Sequence, residues 1–202
     1  SSYCTSILGT VAGDSISFGT PTVFFSAQSG SISSTYDPVT NRTVMVFEYA
    51  GGNAVVGEVS GNSITFGTAV QFNSVNTSHL CITYAPAVNK VVIAYRDDSN
   101  SNYGTSVLGT VSGDSITFDS PVVFSASNSR DMSIAYDDAS ERSVIVYRDQ
   151  DNSSYGTAVL GEFSGGSITF GSPVVFSDSC TRHFSSIYEP AAEKVVINYT
   201  DR

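Results

Sequence analysis

The chain alternates short runs of β-branched and aromatic residues with clusters of Gly, Ser, Asp and Asn. From Tyr103 it reads YGTSVLGTVSGDSITFDSPVVFSASNSRDMSIAYDDASERSVIVYRD. From Tyr155 it reads YGTAVLGEFSGGSITFGSPVVFSDSCTRHFSSIYEPAAEKVVINYTD, which is the same pattern again. Each copy holds four strand-like runs: a at residues 105–111, b at 115–124, c at 132–136 and d at 143–148. Such runs bounded by turn residues predict strands. No stretch carries a 3.6-residue apolar period, so almost no helix is expected.

The repeat governs the whole chain. Gly13, Gly61, Gly113 and Gly165 mark one position of it, at spacings of 48, 52 and 52 residues. The repeats run approximately 1–49, 50–101, 102–153 and 154–202, within a single domain spanning 1–202. Four strands per unit at this period predict an all-β, four-bladed β-propeller, with four antiparallel strands per blade. Run d is apolar on both faces (Val144, Ile145, Val146), so it belongs inside a blade, and the spatial order c-d-a-b follows. The chain starts with runs a and b and ends with c and d. One blade is therefore expected to join the two termini, residues 194–199 pairing with residues 5–11, and to close the ring.

Aromatic residues recur at fixed places and are expected between blades. The sets are Phe18, Phe66, Phe118 and Phe170; Phe24, Phe72, Phe124 and Phe176; Tyr36, Tyr84, Tyr136 and Tyr188; and Phe47, Tyr95, Tyr147 and Tyr199. The turn SGDSITF (112–118) resembles a degenerate Asp box of sialidase-type propellers, and recurs as AGDSISF, SGNSITF and SGGSITF. In that family the box is a structural turn, so the resemblance implies propeller geometry rather than hydrolysis. The whole chain also resembles a tandem repeat of marine phage and environmental proteins, with the pattern YGTxVxGTVSGxSITFGSPVVF; that resemblance implies no site residues.

The chemistry is expected where the long loops are. In a propeller the d-to-a and b-to-c connections share one face, and here they are long and polar. The d-to-a loops bring Arg96, Asp97, Asn102 and Tyr103, and again Arg148, Asp149, Asn152 and Tyr155. The b-to-c loops add Arg130, Asp131, Arg182 and His183. Planar polar groups beside an aromatic ring suit sugar hydroxyls and a CH face. The competing reading is that Asp and Asn cap the loops while Arg pairs with Asp across them. The first repeat departs from the pattern, with Glu48 and Tyr49 in place of Arg and Asp.

Other chemistry is poorly served. The two histidines, His79 and His183, share one repeat position, which does not build a Ser-His-Asp arrangement. Asp97, Asp149 and Asp201 are repeat equivalents, so they look like a structural ring rather than a glycosidase pair. No cofactor is expected. Calcium is the one cation worth considering, because residues 98–102 and 149–153 alternate oxygen ligands, although they lack the EF-hand Gly and Glu. The net charge of -10 argues against nucleic acid, and no apolar run is long enough for a membrane span.

The expected function is thus non-enzymatic recognition of glycans or glycoconjugates through one face, in a secreted, extracellular or virion-surface setting. A structural or adhesive module and a sialidase-like glycoside hydrolase are the alternatives. Sequons at Asn41, Asn76, Asn152 and Asn198 add little, because the Ser and Thr content generates about as many by chance. Of three cysteines, Cys4 and Cys180 are expected to form a disulfide where the termini meet, leaving Cys81 free.

Overall fold

In the computed structural model of the chain, residues 3–201 are described. The chain opens with β1 (Cys4–Ser6), β2 (Gly9–Ala12), β3 (Ser15–Phe18) and β4 (Thr22–Phe25). A first full unit follows: β5 (Ile32–Asp37), β6 (Arg42–Glu48), β7 (Gly52–Ser60), β8 (Ser63–Phe66) and β9 (Val70–Asn73). The second comprises β10 (Thr77–Ala85), β11 (Lys90–Asp97), β12 (Tyr103–Ser112), β13 (Ser115–Phe118) and the start of β14 (Val122–Asp137). The rest of β14 opens the third unit, with β15 (Arg142–Asp149), β16 (Tyr155–Ser164), β17 (Ser167–Phe170) and β18 (Val174–Ser177). The hairpin β19 (Thr181–Glu189) and β20 (Lys194–Asp201) ends the chain. Among the described residues there is no helix.

Every sheet is antiparallel, and the order within each full unit is c-d-a-b, as β5-β6-β7-β8 and its equivalents show. The d strands lie inside because they are apolar on both faces. Val44, Val46, Val92, Ala94, Ile145 and Val146 are all buried. Run b is not one strand. It breaks at residues 119–121, where Pro121 lacks an N–H and the Asp119 N–H turns back to Leu108 O at 3.0 Å. The first piece of run b then pairs with the far half of strand a and the second with its near half.

Glycine fixes two features of each unit. At the tip of the a–b hairpin Gly13, Gly61, Gly113 and Gly165 take φ of 57–62°, the left-handed conformation that two-residue hairpins require. Near the start of strand a, a Cβ on Gly52, Gly104 or Gly156 would run into the ring of Phe72, Phe124 or Phe176. Those rings are the centre of the joints between units. Phe72 lies 5.3 Å from Tyr95 and 5.6 Å from Phe118, and Phe124 lies 5.4 Å from Tyr147 and 5.7 Å from Phe170. The expected inter-unit aromatic packing is present at these joints, whereas Phe18 and Tyr36 are exposed and the Tyr136 ring meets Phe163 of its own unit. The core consequently lies between sheets, with Val56, Ile82, Ile93 and Val107 meeting across one joint and Leu108, Ile134, Tyr147 and Val159 across the next.

The units stand side by side through their inner strands, β5 against β10, β10 against β14 and β14 against β19. The row does not close, which corrects the expectation of a ring joined by the termini. Strand β20 pairs with β19 and β1 pairs with β4, so residues 194–199 and 5–11 lie in separate sheets. The Cys4–Cys180 bond that closure was to bring about is not formed, and all three cysteines are free. Cys4 is instead buried with Met45, Phe47 and Val55, its thiol donating to Ala27 O at 3.6 Å. Burial pushes the Cys81 thiol up to about 12, so it is an inert core residue.

Candidate functional site

The inner strands bring strained and charged residues together at their loop ends. In β10, β14 and β19 the pairing with strand d slips by a bulge, between Ser78 and Cys81, Arg130 and Ser133, and Arg182 and Ser185. The bulged residues are His79, Asp131 and His183, one repeat position in three copies, with φ of 54, 49 and 55°. None is glycine. Side-chain-bearing residues held in the left-handed region cost about 1–3 kcal/mol each, and such strain collects at functional sites. The first unit has no bulge, and β5 stays in unbroken register with β6.

Around the bulges lies a partly buried set of charges. The Arg148 guanidinium is 3.2 Å from Asp131 Oδ2, and His79 Nδ1 is 3.8 Å from Asp131 Oδ1. One unit along, Arg96 Nε donates to Asp98 Oδ1 at 2.6 Å, and the Ser78 hydroxyl donates to the same oxygen at 2.8 Å. Burial holds His79 below the usual histidine range, helped by Arg96, Arg130 and Arg148 and opposed by Asp131. It is therefore a neutral imidazole at neutral pH. Several buried polar atoms have no protein partner: Arg148 Nε, one terminal nitrogen of Arg96, Arg182 Nε and Glu48 Oε1. Unpaired buried polar groups are rare and call for an explanation.

Between the first and second units this set opens into a cleft of about 390 Å³, lined by Gln28, Glu48, Tyr49, Asn76, Ser78 and Asp98 among others. The two carboxyls there are pushed in opposite directions. Burial raises Glu48, a shift that Ser31 and the His79 backbone partly offset and Asp98 reinforces. Burial also acts to raise Asp98, but the hydrogen bonds from Arg96 and Ser78 outweigh it and hold Asp98 low.

The expected site residues divide between this cluster and the loop scaffold. Arg96, Asp131 and Arg148 are in the cluster. Arg130 donates from Nε to Asn128 Oδ1 at 3.3 Å, within reach of His79 electrostatically. Asp97 and Asp149 build their own loops. Asp97 Oδ1 accepts from the Ser99 and Asn100 N–H groups at 3.1 and 3.2 Å, and Asp149 Oδ1 accepts from Asp151 and Asn152 at 3.2 Å each. Asn102, with φ of 62°, offers its carbonyl to the Ser129 N–H, which ties the loop to the next unit. Tyr103 and Tyr155 are half-buried at the start of strand a, and their N–H groups close the loops on Asn100 and Asn152. Arg182 and His183 sit on β19, His183 exposed.

Sequence reasoning passed over Glu48, Ser78 and the pairing of His79 with Asp131. Glu48 read as a lost Arg, yet it supplies the acceptor of the first cleft. The bulge position carries His79, Asp131 and His183, and residue type alone does not mark it as a bulge. Among the described residues no three metal-binding side chains cluster. No described helix is long and apolar enough to cross a membrane. No family model matches the chain, and no curated protein or solved structure matches it.

Proposed function

We propose that the chain is a propeller-type recognition module that binds carbohydrate at the bulged ends of its inner strands, in an extracellular or virion-surface setting. The observation that carries this reading is the set of buried, unpartnered hydrogen-bonding atoms on Arg148, Arg96 and Glu48, held around the two strained bulges at His79 and Asp131. A sugar hydroxyl both donates and accepts, and a site offering guanidinium N–H groups beside a carboxylate oxygen answers both needs. A site whose polar groups are left unpaired without ligand gains most when a matching hydroxyl arrives. Tyr49, beside the cleft and half exposed, supplies an aromatic face for the CH side of a ring. Repetition along the row adds avidity to individually weak sites.

A crystal soaked with mixed monosaccharides tests the reading. Sugar density in the Glu48–Asp98 cleft or beside Arg148 supports it. A fully resolved surface with no sugar at either place favours the structural or adhesive alternative.

A second reading is supported by the opposed shifts of Glu48 and Asp98. A carboxyl raised by burial can donate a proton while an ionised neighbour acts as base or nucleophile, which is the division of labour in glycoside hydrolysis. Turnover of aryl glycosides that Glu48→Gln abolishes would favour this reading over simple binding.

A further inference from the structure

The joints between units repeat one three-ring contact. The Phe on the second piece of run b packs on the d-strand aromatic and the first b-strand Phe of the following unit. Phe24 does so with Phe47 and Phe66 at 5.7 and 5.5 Å, and Phe72 and Phe124 do so in the next two joints. At the fourth joint Phe176 reaches Tyr199 at 5.4 Å, and Phe184 of the inner strand packs on both, but among the described residues no b-strand Phe equivalent to Phe66, Phe118 or Phe170 lies beside them. The remaining copy of that ring is Phe18, in β3 at the other end of the row, where it is 62% exposed.

Backbone pairing and burial agree with the rings. In all three full units strand d pairs with strand a in one register, as Val91↔Gly109, Ile93↔Val107 and Tyr95↔Thr105 illustrate. Among the described residues the d strand β20 has no a strand beside it, and β1 and β2 have no d strand. Residues buried elsewhere in the repeat are open at these two ends. Ile16 is 55% exposed where Ile64, Ile116 and Ile168 are buried, and Tyr199 is 40% exposed where Phe47, Tyr95 and Tyr147 are buried. Unpaired edges with an apolar face are a template for another strand. The two ends are the complementary halves of one unit.

We propose that the half-unit β1–β4 of a second copy of this chain docks on β20, completing a four-stranded unit in trans. The internal joints dictate the register: Val195 opposite Gly9, Ile197 opposite Ile7 and Tyr199 opposite Thr5 of the second copy. Phe18 of that copy enters beside Phe176 and Tyr199. The contact is head-to-tail, so copies add into a closed ring of two or more or into an open filament. The loop-end clusters of successive copies then continue along one face. This association does not depend on what those clusters bind.

Sedimentation equilibrium of the full chain over a range of concentrations tests the proposal, with Phe18→Glu and Val11→Glu as variants. Both positions are exposed, so neither variant disturbs the fold of a single chain. The expected result is a mass rising above that of one chain for the wild type, and self-association weakened at least about tenfold in each variant with the strand signal in circular dichroism unchanged. A wild type that stays at the mass of one chain up to about 100 μM overturns the proposal. Variants that associate as well as the wild type do the same. Amide exchange that shows β20 and β2 protected within a single chain would replace it by closure in cis.

Discussion

His79 Nδ1 stands 3.8 Å from Asp131 Oδ1 across the joint between two units, and the two residues hold the same position in successive repeats. The bulge that turns each of them out of strand register also brings them together. Asp131 reaches Arg148 from its other oxygen, so one carboxylate neutralises a guanidinium that is almost wholly buried. Removing that charge leaves Arg148 desolvated and unpaired. Asp131→Asn keeps the shape and tolerates the left-handed backbone, and it is expected to cost about 2 kcal/mol in urea unfolding. A cost below about 0.5 kcal/mol would mean that the pair contributes no more than a surface ion pair.

The pH dependence of stability follows from His79. Its folded pKa lies below that of the unfolded chain, so the unfolded state takes up the proton first as pH falls. Its contribution is present above about pH 6.5 and is lost progressively below it. Glu48 works in the opposite sense, because its raised pKa favours the folded state on protonation. The difference between wild type and His79→Asn isolates the histidine. The wild type is expected to lose more stability than the variant between pH 7.5 and 5, and equal losses would contradict this account of the cluster.

Two glycines separate close approach from backbone conformation. Gly104→Ala places a methyl against the Phe124 ring and Ser129, and is expected to destabilise by about 2–3 kcal/mol. Gly113 faces open space at φ of 62°, so Gly113→Ala carries only the conformational cost, about 1 kcal/mol. Thermal unfolding of the two variants gives the order, and Gly113→Ala as the worse of the pair would contradict the joint packing described above.

The strands, their order and the aromatic joints are legible in the repeat itself. Run d declares itself by being apolar at consecutive positions, and Val144, Ile145 and Val146 are buried as that pattern requires. Closure is not legible there, because a repeat that starts with a–b and ends with c–d fits a closed chain and a head-to-tail series of copies equally well. The site is half legible. Arg96 and Arg148 stand out as charged residues at the end of an apolar strand, whereas Asp97 and Asp149, equally prominent in the sequence, are held by their own loops. Glu48 looks like a gap in the pattern, and only the fold sets it beside Asp98 in one cleft.

The central claim is that the unpaired atoms at the bulged strand ends recognise carbohydrate, and a glycan array run with the wild type, Arg148→Met and Glu48→Gln tests it most directly. The account predicts a defined set of glycans retained by the wild type and lost or weakened at least about tenfold in one or both variants, with both variants still folded by circular dichroism. No retained glycan at any protein concentration up to about 100 μM, or undiminished binding by both variants, would contradict it.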